Sequence, residues 1–80
     1  MPITGEMALS FLLNAVDRAL SKYSPDNVDV VKNEETGFLD IIYHSRNNSF
    51  SIESGIVGMS RINKAALIRE LDRRGVGHSW

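Results

Sequence analysis

Between Glu6 and Tyr23 the apolar residues recur at a helical spacing that leaves the segment little choice of structure. At about 100° per residue, Ala8, Leu9, Phe11, Leu12, Leu13, Ala15, Val16, Ala19, Leu20 and Tyr23 gather on one face. Glu6, Ser10, Asn14, Asp17, Arg18, Ser21 and Lys22 take the other. The apolar arc covers about 200° of the helix, twice the stripe needed to seat a helix on one core. The chain must therefore supply a surface to cover this helix, and some apolar area is left over. Thr4 is the expected cap, its hydroxyl accepting from an unpaired backbone N–H, with Glu6 near the positive end of the helix dipole. Ser24-Pro25-Asp26-Asn27 is the turn that ends it.

Beyond that turn the apolar period falls to two. Val28 to Lys32, Phe38 to Ser45 and Ser49 to Glu53 each read as a strand, separated by the turn-forming Glu34-Glu35-Thr36-Gly37 and Arg46-Asn47-Asn48. Alternation places Val28, Val30, Leu39, Ile41, Tyr43, Phe50 and Ile52 on a core face. Asp29, Val31, Phe38, Asp40, Ile42, His44, Ser51 and Glu53 fall on the other. The period returns to 3.6 from Lys64 to Arg74. Asn63 is the expected cap of this last helix, Ile62 is placed to pack on Leu67, and Gly75 stands where a left-handed residue ends it, with Val76 against Leu71. These assignments predict an α+β domain of α-β-β-β-α order, a three-stranded antiparallel meander with both helices packed on one face. Residues 1–80 form one domain, with 76–80 expected to be a flexible tail.

Eighty residues bury only about 60% of their unfolded surface, so self-association would stabilise such a chain. There is no cysteine, which removes disulfides and thiolate zinc sites and agrees with a reducing compartment. The first apolar run is broken by Asn14, Asp17 and Arg18, so neither a signal peptide nor a membrane span is expected, and a cytoplasmic location follows. The net charge of −1 hides an uneven distribution. Residues 1–59 carry four basic and eight acidic side chains, whereas residues 60–80 carry five basic and two acidic ones.

The predicted element order resembles that of double-stranded-RNA-binding domains and certain small ribonuclease toxins. The resemblance spans most of the chain in topology. Its nearest motif is Gly58-Met59-Ser60-Arg61-Ile62-Asn63-Lys64, which is similar to the glycine-bracketed loop and lysine-rich helix start of the RNA-binding members. It implies RNA contact from the last helix. Here Ile62 stands at an expected basic position, and the first turn is acidic.

No catalytic constellation is legible. Asp40 and His44 share a strand face but lie about 13 Å apart at 3.3 Å per residue, so a base at His44 would need a partner elsewhere, with Glu53 on the neighbouring strand the candidate. His44 and His78 do not have metal-ligand spacing, and Gly55-Ile56-Val57-Gly58-Met59 lacks the Lys-Ser/Thr of a phosphate-binding loop. No catalytic, cofactor or metal residue is therefore assigned. The apolar glycine-bracketed loop either tucks under a helix or presents a contact. Ile56, Val57 and Met59, with Phe38 and Ile42 left over on the sheet, are the candidate partner-binding residues. Arg61, Lys64, Arg69 and Arg73 are the candidate nucleic-acid contacts. The expected function is a small non-catalytic protein–protein interaction module, self-associating as a homodimer and acting as a modulator or inhibitor of a larger partner. The alternative is an accessory protein binding RNA or DNA through the basic helix.

Overall fold

The computed structural model describes residues 4–79. Helix α1 runs Gly5–Leu20, and Thr4 caps it by accepting a hydrogen bond from Met7 N at 3.1 Å. A single 3-10 turn over Pro25–Asn27 leads into β1 (Val28–Lys32), β2 (Leu39–His44) and β3 (Ser49–Glu53). A second 3-10 turn, Met59–Arg61, precedes α2 (Lys64–Arg74). Asn63 caps α2 by accepting from Ala66 N at 3.1 Å. At the other end Gly75 has φ 72°, the left-handed conformation that only glycine enters without strain, and Val76 N donates to Leu71 O at 3.0 Å.

The domain is α+β, with two helices and a mixed four-stranded sheet of order β3-β2-β1-β4. β1, β2 and β3 pair antiparallel, but Gly77–His78 form a further strand, β4, parallel to β1 with Asp29 opposite Gly77. This corrects the purely antiparallel three-stranded sheet expected from the sequence, and it sets part of the 76–80 segment into the sheet. A two-residue strand has no apolar period, so alternation cannot reveal it. Trp80 lies outside the described residues.

One apolar cluster holds the elements together. Ala8, Leu12, Ala15, Val16 and Ala19 of α1, Leu67 and Leu71 of α2, and Val28, Val30, Leu39 and Ile41 of the sheet are all buried in it, with Val57, Ile62 and Val76. The two helices thus share one face of the sheet. The opposite face, carrying Asp29, Val31, Asp40, Ile42 and His44, is the open one, as alternation predicts.

Candidate interaction surface

The open face is built mainly on β2. Phe38, Asp40, Ile42 and His44 alternate with the buried Leu39 and Ile41, so all four project away from the helices. Phe38 is 43% exposed, while Val31 on β1 and Ile42, four residues further along β2, are half-buried on the same face. Phe38 stands over a shallow cavity of about 390 Å³ whose other walls are Asn33, Thr36, Asp40, Ser54 and Gly55. Asp40 is buried and is held by the backbone N–H of Gly55, which donates to its Oδ1 at 2.8 Å. Gly55 itself has φ 64°, the tight backbone that lets the chain leave β3 over this carboxylate.

The Gly55–Met59 loop is fastened along the start of β2. Leu39 N donates to Val57 O at 2.9 Å, Ile56 N to Leu39 O at 3.1 Å and Met59 N to Gly37 O at 3.0 Å. Of the five residues expected at a partner contact, Phe38 and Ile42 lie on the open face. Val57 is 6% exposed and belongs to the core, and Ile56 and Met59 are half-buried against it. The loop is therefore a tucked one, and Val57 is a packing residue.

His44 has partners that sequence spacing did not show. Its Nδ1 lies 2.6 Å from Ser49 Oγ and its Nε2 lies 2.7 Å from Asp29 Oδ2, a side-chain line across β3, β2 and β1. The carboxylate favours the proton on Nε2, which leaves Nδ1 to accept from the serine hydroxyl. The line joins three strands on their solvent face. It is missed by sequence because its members are neighbours only across the sheet register. The proposed partner Glu53 goes elsewhere. A bulge between Ile41 and Ile42 shifts the register so that Glu53 faces Ile41, and Arg18 of α1 binds its Oε1 at 3.1 Å on the helix side. Among the described residues no group of three or more His, Asp or Glu side chains gathers in a way that could hold a metal ion.

Exposed apolar side chains also lie on α1 and on β3. Met7, Phe11 and Arg18 fall on one helical stripe, and the Arg18–Glu53 pair turns that stripe toward β3. Phe11 is 46% and Phe50 47% exposed, although alternation and the helical wheel put both on core faces. The surplus was legible in the width of the α1 arc, since the sheet covers only its centre. Phe50 packs on Tyr43 with ring centroids 5.1 Å apart, and Tyr43 on Tyr23 at 4.4 Å, which closes that end of the core.

The basic helix is partly neutralised. Arg73 binds Glu70 at 2.7 Å, while Arg74 binds Asp17 at 2.9 Å and Glu70 at 2.8 Å. Hydrogen bonds from Arg74 and then Arg73 hold the Glu70 carboxyl below its ordinary range. Arg61, Lys64 and Arg69 are exposed and make no ion pair among the described residues. Three like charges without aromatic platforms form a thin electrostatic footprint. No helix among the described residues is long and apolar enough to cross a membrane. No protein-family model matches the chain, and no curated protein or solved structure shows significant similarity to it.

Proposed function

We propose that this chain is a protein–protein interaction module that self-associates and uses the open face of its sheet to occupy a surface of a larger partner, as a modulator or inhibitor. The observation that carries this reading is Phe38, held 43% exposed at the mouth of a cavity on a sheet face that no element among the described residues covers. Ile42 and Val31 extend the apolar area, and Asp40 and Ser54 supply polar groups at its rim. An aromatic side chain beside a concavity, ringed by polar groups, has the composition of an interface anchor.

The test is affinity capture from the native host with the parent chain and with Phe38→Asp, the bound proteins identified by mass spectrometry at low and high salt. Retention of the partner at high salt and its loss with Phe38→Asp, at unchanged thermal stability, is the expected result. Capture of nucleic acid that fades steeply with salt and survives Phe38→Asp would replace this reading with the basic-helix one.

A further inference from the structure

The sheet has two unequal edges. β4 has two residues, whereas β3 has five, Ser49 to Glu53, with no lysine and no proline, and its regular stretch is Ser49 to Ser51, before the bulge that sets Glu53 opposite Ile41. Ser45 N donates to Asn48 O at 2.8 Å, and Tyr43 faces Phe50 two residues further along the hairpin. In an antiparallel ladder this alternation turns the backbone N–H and C=O of Ser49 and Ser51 away from β2. They are edge groups awaiting a strand.

We infer that the strand they receive is β3 of a second copy of this chain, antiparallel and related by a two-fold axis at Ser51. The inference rests on the self-association proposed above and gives it a surface. Phe50 and Ile52 flank Ser51 and both lean to the helix side, while beyond Ile52 the bulge turns Glu53 back toward Ile41, so the shared ladder is short and centred on Ser51. A two-fold at Ser51 therefore sets Phe50 of each copy across from Ile52 of the other, so two apolar cross-strand pairs form on the helix side. Phe50, otherwise 47% exposed, is covered. On the open side serine meets serine, which is small enough for close approach.

The flank above the joint fits the same occupant. The Met7–Phe11 stripe of α1 lies on the β3 side of the helix layer, and the two-fold brings the two stripes toward one another. Arg18 and Glu53 neutralise each other within each copy, so two identical surfaces meet without repulsion between these groups. The pairing is isologous and closes on itself. It also leaves the open faces of both copies on the same side of one eight-stranded sheet, where a partner with two sites would be held by both.

The chain has no cysteine, so Ser51→Cys introduces one thiol per copy at the axis. Directly opposed residues of a hydrogen-bonded pair have Cα atoms about 5.5 Å apart, which a disulfide spans. Mild oxidation should convert Ser51→Cys to a covalent dimer on a non-reducing gel, whereas Arg69→Cys, on the outer face of α2, should stay monomeric. Light scattering of the parent should give twice the 8.9 kDa monomer mass, falling to the monomer in the Phe11→Glu/Phe50→Glu double variant. If that variant does not fold, the cross-link decides. A parent that is monomeric at high micromolar concentration, or a dimer in which Ser51→Cys fails to cross-link, overturns the inference. A monomeric parent removes the self-association as well, whereas a dimer that fails to cross-link removes only this pairing, and the Phe38 reading is measured separately by partner capture.

Discussion

Arg74, in the last turn of α2, holds Asp17, in the last turn of α1, with Nε 2.9 Å from Oδ1. The same guanidinium bonds the side chain of Glu70 at 2.8 Å and its carbonyl oxygen at 3.2 Å. One planar donor set therefore joins the two helices and also closes the C-terminal turn of its own helix, a geometry that lysine cannot copy.

Arg74→Ala is expected to destabilise the domain by about 1 to 2 kcal/mol, because the side chain is mostly enclosed while its carboxylate partner Asp17 stays half exposed. Arg73→Ala, at a much more exposed position, should fall within about 0.5 kcal/mol of the parent. Urea titrations of the two variants compare them directly.

Glu70 supplies a pH dependence. Its folded carboxyl is held below the ordinary value of 4.5 by the two arginines, so the stability it contributes is present above that value and is lost as the pH falls through the lowered one. Glu70→Gln has no such titration. The stability gap between parent and Glu70→Gln should be open at neutral pH and close on acidification below about 4.5, as read by thermal melts across the acid range. A gap that widens on acidification would contradict the assignment.

Val57→Asp should unfold the domain or cost more than about 3 kcal/mol, since it places an unpaired charge in the core cluster. Phe38→Asp, four tenths exposed, should be nearly silent by the same measurement. Circular dichroism melts of the pair distinguish a tucked loop from a presented one.

Gly77→Ala tests the side-chain line on the open face. A Cβ at Gly77 would collide with Asp29 Oδ1, so the carboxylate must swing away, and with it the partner of His44 Nε2. The Nε2 proton of His44 should be observable by NMR in the parent and lost to solvent exchange in the variant. Gly75→Ala, where the added Cβ meets only an ordinary contact with Pro25, should instead show a pure backbone cost of about 1 kcal/mol.

Replacing both Arg69 and Arg73 with Ala should leave any measured RNA or DNA affinity unchanged if the basic helix is a solvated face. Titration of a fluorescent single-stranded and a duplex oligonucleotide at two salt concentrations reads this. Affinity that collapses in the double variant would transfer the function to α2.

The sequence disclosed what is encoded locally. Thr4, Asn63 and Gly75 each satisfy backbone groups within four residues of themselves, so their roles follow from spacing alone. The two faces of β1 and β2 were legible for the same reason, as alternation needs no knowledge of the partner strand. What escaped is set by register. The bulge opposite Ile41 carried Glu53 from the open face to Arg18, the line from Asp29 through His44 to Ser49 exists only across three strands, and Gly77 became a strand residue because β1 had a vacant side. The exposed Phe11 and Phe50 fall between these cases. The excess of apolar arc announced that something would remain uncovered, but only packing decides which ring it is.

The parallel pairing of β4 on β1 bears on the order in which the molecule assembles. Asp29 and Gly77 become neighbours only after the hairpins and α2 have brought the intervening chain back, so this contact carries the largest loop-closure cost in the sheet. The meander is built from near-neighbour pairings that can form early, while the outer side of β1 stays bare until the final strand docks. During synthesis that bare side is a transient adhesive edge, and the speed of the last docking step determines how long a nascent molecule is vulnerable to aggregation.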